Sequence, residues 1–157
     1  MGDTRNHLLD AATEVLLASG AESLTLAGVA EHAGVSKGGL LYHFPNKGAL
    51  VAGLVDRLVA RFDAALRAAG SAPGSASMAY LAETIAPTSL ATGTKADRVA
   101  AALLAASLVD TESLRPLRRA YSAWQRRLAD DGIDPAVATV VRFAVDGWWL
   151  ARLLDLA

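Results

Sequence analysis

The run Lys37-Gly38-Gly39 carries the most evident chemistry in this sequence. An ammonium group donates to guanine O6 and N7 or to phosphate, and glycine lets backbone come close to a bulky surface. Two glycines in the first turn of a helix cost about 1 kcal/mol each relative to alanine, which makes sense where something large must approach. Thr25, Ser36 and Lys47 fall at helix starts, where free amides and the macrodipole attract phosphate. The plainer alternative is that Lys37 is a solvated residue at a helix start and Ser36 only a cap.

A second oddity lies near the C-terminus. Asp146 interrupts the apolar stretch Phe143 to Leu150. A buried carboxylate takes a partner or shifts its pKa upward. Arg142, one turn back, is the ordinary partner. The sharper reading is that Asp146, with tryptophans nearby, binds a cationic aromatic molecule by charge and cation–π contact. The aromatics Phe62, Tyr80, Tyr121, Trp124, Phe143, Trp148 and Trp149 otherwise read as core.

Other chemistries find little support. With no cysteine, disulfides and thiolate metal sites are excluded. His7 and His32 read as exposed and idle, and three scattered histidines without nearby carboxylates make no zinc site. There is no phosphate loop after a strand, no paired carboxylates in a plausible cleft and no nucleophile beside a base, so no enzyme is expected. The apolar stretches Val99 to Val109 and Val137 to Ala157 are interrupted by Ser107, Arg142, Asp146, Arg152 and Asp155. Neither offers the roughly 20 uncharged residues of a membrane span, and no secretory signal precedes them. A cytoplasmic chain without membrane partners is expected. So apolar a core also suggests burial against a second subunit.

These residues need elements to hold them. Ala and Leu dominate, which favours helix. Leu8, Ala12, Val15, Leu16 and Ser19 recur at helical spacing before Gly20. Thr25 caps a short helix with Leu26, Val29, Ala30 and Ala33 inward. Gly34 takes a left-handed turn, Ser36 caps a helix over Lys37 to His43, and Phe44-Pro45 ends it. Asn46 caps a long helix to about Ala69, with Leu50, Leu54, Leu58, Phe62 and Leu66 on one face. Gly70 to Ser75 is the clearest linker, where the N-terminal unit should end. Helices follow over Ser77 to Ile85, Asp97 to Val109 and Ser113 to Asp131. Arg115, Arg118, Arg119, Arg126 and Arg127 form the wet face of the last of these. Gly132-Ile133-Asp134-Pro135 is a stop, a cap and a first-turn proline before a helix to about Leu156.

Three short helices with a glycine-containing turn make a helix-turn-helix. Residues 5 to 50 resemble the DNA-binding domain of the tetracycline-repressor (TetR) family. The resemblance rests on Ala11-Ala12, Gly20, Thr25, Val29-Ala30, the run Ala33-Gly34-Val35-Ser36-Lys37-Gly38, His43-Phe44, Lys47 and Leu50. Gly132 to Pro135 and Asp146-Gly147-Trp148-Trp149 resemble C-terminal motifs of a multidrug-responsive subgroup. The family usually has tyrosine where Leu41 stands; here Tyr42 supplies the ring one residue later.

The resemblance implies a homodimeric repressor on a palindromic double-stranded DNA operator, released by a small-molecule effector of unknown identity, with no other cofactor. It adds Tyr42 and His43 to Thr25, Ser36, Lys37, Gly38, Gly39 and Lys47 as DNA contacts; both rings could instead be core-edge side chains. It suggests Phe62, Tyr121, Trp124, Phe143, Asp146 and Trp149 as an effector site. The chain is short for the family at its C-terminus, so a final helix of the dimer bundle is expected to be missing. The expected architecture is all-α: a three-helix head over 1–47 and a helical ligand-binding and dimerisation body over 48–157. The first 47 residues carry three Lys/Arg (Arg5, Lys37, Lys47) against five Asp/Glu (Asp3, Asp10, Glu14, Glu22, Glu31). Non-specific phosphate attraction should therefore be weak. That balance favours the alternative, a helical ligand-binding or dimerisation module whose head no longer binds DNA usefully.

Overall fold

A computed structural model describes residues 2–20, 22–84 and 111–153. The described residues form helices α1 (Gly2–Ser19), α2 (Leu26–His32), α3 (Lys37–His43), α4 (Lys47–Ala68), α5 (Ser75–Thr84), α6 (Arg115–Ala129) and α7 (Pro135–Leu153). A 3-10 turn, Thr111–Leu114, precedes α6, and no strand occurs among the described residues. The all-α expectation holds. The helix expected over Asp97 to Val109 lies outside the described residues.

The described residues fall into two compact units. The first holds residues up to Arg57 with 111–116, and the second holds 58–84 and 117–153. The division thus falls inside α4, between Arg57 and Leu58.

In the first unit, α1 to α3 surround a core of Leu8, Leu9, Ala12, Leu16, Leu24, Val29, Leu40 and Phe44. The start of α4 closes it with Leu50, Val51, Leu54 and Val55. Gly53 permits that closure, since a Cβ there would lie 2.9 Å from Phe44 Cε1 and 3.2 Å from Leu9 Cδ2. Arg5 covers the Phe44 ring, its Cζ 5.2 Å from the centroid. The two histidines are not idle. His32 Nε2 lies 2.7 Å from Glu14 Oε2, and His7 Nε2 lies 2.9 Å from the Ala33 carbonyl. Both contacts tie α1 to α2 or its C-terminal turn, a tertiary pairing that residue spacing does not reveal.

The second unit is built on Leu66, Ala76, Tyr80, Ala120, Trp124, Leu128, Ala138 and Val145. Its corner between α6 and α7 is bolted to the start of α5. The Asp131 carboxylate accepts the backbone N–H of Ala76 at 2.9 Å and of Ser77 at 2.8 Å. The Asp131 carbonyl accepts the N–H of Gly74 at 2.8 Å. First-turn amides of a helix have no partner within the helix, so a carboxylate from elsewhere is an effective cap. Gly132, at φ 73°, packs on Pro73 closely enough that a Cβ would sit 3.2 Å from the Pro73 Cα. Arg127 is more than wet surface: its guanidinium donates to the Gly70 carbonyl at 2.8 Å and reaches Asp131 Oδ1 at 3.4 Å. Gly70 to Ser75 is therefore a pinned connection rather than a free linker.

Candidate nucleic-acid interface and body site

Local sequence chemistry sets the geometry of α2, α3 and the turn between them. Thr25, extended at φ −116° and ψ 151°, accepts the Gly28 N–H at 3.0 Å and starts α2. Gly34 takes φ 66°, and the Val35 N–H returns to the Ala30 carbonyl at 3.0 Å. That conformation and that bond finish α2 and turn the chain. Ser36 Oγ then accepts the Gly39 N–H at 3.1 Å and opens α3. Asn46 Oδ1 does the same for α4 through the Ala49 N–H at 2.8 Å.

Helix α3 has two unlike faces. Leu40 is buried and anchors it to the head, while Lys37, Gly38 and Gly39 are exposed at its N-terminal end. A Cβ at Gly38 would meet nothing nearer than Ser36 Oγ at 4.0 Å, and at Gly39 the same atom at 3.4 Å. Packing within the chain therefore does not require glycine at either position. Tyr42 is 74% exposed, and its ring meets that of the half-buried His43 edge-on at 5.2 Å. Leu41 is half-buried, so it is Tyr42 and not its neighbour that projects. Ser36, Lys37, Gly38, Gly39 and Tyr42 are all exposed. Thr25 and Lys47 are exposed at the starts of α2 and α4.

In the second unit, three rings pack around Trp124. Phe62, Tyr121 and Tyr80 have centroids 5.0, 5.2 and 6.0 Å from it. Trp124 and Tyr80 are buried, so these rings fill their space with one another. The cluster is closed by a carboxylate on two sides. Asp63 accepts the Trp124 indole N–H at 2.7 Å. Asp146 accepts the Tyr80 hydroxyl at 2.7 Å and the Tyr121 hydroxyl at 3.5 Å, with Arg142 at 3.4 Å from its other oxygen. Burial pushes the Asp146 carboxyl above the ordinary aspartate value; the Tyr80 hydrogen bond, the Arg142 charge and the Tyr121 hydroxyl offset only part of that. Burial, with the neighbouring Tyr121 and Asp146, also drives the Tyr80 phenol well above 10.0, and Tyr121 is raised chiefly by burial.

Arg142 is thus a real partner of Asp146, but the sequence reading missed Tyr80 and Asp63. Both lie far along the chain from the groups they bond; the only signal was a phenol and a carboxylate on otherwise apolar helix faces. Phe62, Tyr121, Trp124 and Asp146 are brought together. Phe143 is not: its ring is 59% exposed, with Arg142 Cζ 4.5 Å from the centroid. Trp149 is half-buried on α7. No group of three or more metal-ligating side chains occurs among the described residues.

A compact helix-turn-helix whose second helix presents donors and bare backbone, ahead of an all-helical unit, defines a class of DNA-binding regulators. Residues 8–54 match the bacterial regulatory proteins of the tetR family, and residues 74–157 match the tetracyclin repressor-like C-terminal domain. The second match alone takes in more than half of the chain, and the chain belongs to the tetR family. It is 41% identical over 56 residues to the HTH-type transcriptional regulator TtgR of Pseudomonas putida, a match covering 36% of this chain and 27% of that protein. A transcriptional regulator from Rhodococcus sp. Rha1 superposes with a TM-score of 0.76 at 27% identity, over 95% of this chain and 83% of that one. NalD, the secondary repressor of the MexAB-OprM multidrug efflux pump in Pseudomonas aeruginosa, shares the fold with a TM-score of 0.64 at 21% identity, over 98% and 85%.

Proposed function

We propose that this chain is a repressor that binds a palindromic operator as a homodimer and leaves it when a small molecule occupies the body. The observation that carries this reading is α3 itself, on which Lys37 and Tyr42 are exposed, as are two glycines that packing within the chain does not require. In the proposed complex Lys37 reads base edges and Gly38 and Gly39 admit the groove wall. Ser36, Thr25 and Lys47 meet phosphates at helix starts, and Tyr42 and His43 contact the backbone alongside.

Regulation follows from linkage: an effector that weakens DNA binding must itself be bound more weakly by the DNA-bound form, by the same factor. The matched C-terminal domain and the likeness to an efflux-pump repressor support a drug-like effector. The proposed contact set is Phe62, Tyr121, Trp124, Asp146 and Trp149. A cationic effector would take over the Asp146 charge that Arg142 now answers.

The test is a gel-shift on DNA upstream of the chain's own coding sequence. Wild type retards it, and Lys37→Ala and Tyr42→Ala, checked for helical content, do not. Equal retardation by all three refutes the α3 assignment. The excess of acidic residues in the head favours a second reading, a module without useful DNA affinity, which predicts no retardation by any of them at low salt.

A further inference from the structure

Arg142 on α7 is a cation with too few partners. Its side chain is only 11% exposed. Its bond to Asp146 Oδ2 comes from Nη1 and is long, at 3.4 Å. Nε is buried with no hydrogen-bond partner among the described residues. The rings of Tyr121 and Phe143 lie against the guanidinium, their centroids 5.5 and 4.5 Å from Cζ. Those rings attract the charge, but they do not replace an oxygen in the guanidinium plane. A buried donor without an acceptor is uncommon in a folded protein and asks for a cause.

A second unmet atom lies in the same seam between α6 and α7. Gln125 Nε2 donates to Thr139 Oγ1 at 2.9 Å, and that hydroxyl donates to the Pro135 carbonyl at 2.8 Å. Turning the amide over would set two oxygens against each other, so its orientation is fixed. Gln125 Oε1 is thereby left buried and without a donor among the described residues. Gln125 stands one turn after Tyr121 on α6, and Arg142 one turn after Thr139 on α7. The seam therefore lacks an acceptor at Arg142 and a donor at Gln125.

We infer that the effector of the body is amphoteric, an aromatic molecule carrying a carboxylate as well as a cation, and that Arg142 receives the carboxylate through its Nε edge. This rests on the effector reading above and names the effector's chemical class. A cation alone would take Asp146 from Arg142 and leave a buried guanidinium with no counter-charge, which is strongly unfavourable. An anion alone would set two carboxylates on one guanidinium. A molecule with both charges answers each member of the pair and leaves the site neutral. Arginine suits the task, because its planar edge grips a carboxylate with two parallel bonds. An N–H of the same molecule meets Gln125 Oε1.

The experiment is a fluorescence anisotropy titration of the full chain with two matched dyes, a rhodamine bearing a free carboxylate and its methyl ester. Both carry the same cation. Wild type binds the free acid tighter by about tenfold or more. Arg142→Gln brings the two dissociation constants together. Arg142→Lys, which keeps the charge without the planar edge, leaves a smaller preference. Arg119→Gln, at an exposed arginine of α6, keeps the wild-type preference. Circular dichroism checks that each variant is helical, and Arg142→Lys decides the matter where Arg142→Gln does not fold. Equal binding of acid and ester by wild type, or tighter binding of the ester, overturns the amphoteric class and leaves a cationic effector standing. A preference that the Arg142 variants keep in full overturns Arg142 as the partner of the carboxylate. No binding of either dye overturns this inference together with the cationic aromatic effector on which it rests.

Discussion

Asp131 Oδ1 accepts the backbone N–H of Ala76 at 2.9 Å across 55 residues of chain. Its second oxygen takes the Ser77 N–H, so one buried side chain at the end of α6 caps the start of α5. Removing it strands two buried donors, each costing about 1–3 kcal/mol. Asp131→Ala should therefore lower unfolding stability by about 2–4 kcal/mol. Asp131→Asn, which keeps one acceptor, should lose less. Urea titrations with an unchanged slope are the measurement; equal midpoints for wild type and Asp131→Ala would contradict the capping role.

Asp131 and Asp146 should respond to pH in opposite senses. Burial would raise the Asp131 carboxyl, but the N–H bonds from Ser77 and Ala76 and the Arg127 charge hold it below the ordinary 3.8. The folded state thus binds this proton less tightly than the unfolded chain. Its stabilisation is full above 3.8 and is lost as the pH falls through the lowered value. Asp146 is raised above 3.8, so the folded state holds its proton more tightly. Its contribution falls as the pH rises from 3.8 through the raised value. Stability against pH should lose its acid-side drop in Asp131→Asn and its decline just above 3.8 in Asp146→Asn. Unaltered profiles in both variants would contradict these assignments.

Tyr80→Phe removes the closest donor to Asp146 while keeping the ring against Phe62 and Trp124. The expected loss is about 1–3 kcal/mol, as for a charge-assisted hydrogen bond. The Asp146 carboxyl should rise further, because the Tyr80 bond is the largest of the influences that lower it. NMR titration of the Asp146 carboxyl carbon measures this, and a downward shift would refute it.

The sequence made the head legible because its structure is local. Thr25, Gly34, Ser36 and Phe44-Pro45 act within a few residues of themselves, and α3 begins and ends where they predict. The body was legible only as a helix pattern. The Tyr80–Asp146, Trp124–Asp63 and Asp131–Ala76 contacts join residues 55 to 66 positions apart. Helical periodicity marks which face is buried, but not which polar group waits across the interface. Arg127 reads as surface because it lies on a helix rich in arginine, although its guanidinium bonds Gly70 and Asp131.

Gly38→Ala separates folding from binding. The added Cβ has room, and alanine favours helix by about 1 kcal/mol over glycine. Thermal stability of the head should rise while affinity for operator DNA falls, because the methyl group occupies the space reserved for the groove. A variant that is both more stable and equally tight-binding would show that bare backbone at α3 has no role.

Selection of bound duplexes from a random-sequence pool, followed by sequencing, tests the central claim most directly. Wild type should enrich a two-fold-symmetric site whose half-site centres lie about one helical turn, or a multiple of it, apart. Folded Lys37→Ala and Tyr42→Ala should enrich it weakly or not at all. No enriched sequence with wild type at low salt, or the same site enriched equally by both variants, would contradict the assignment of α3 as the DNA-reading helix.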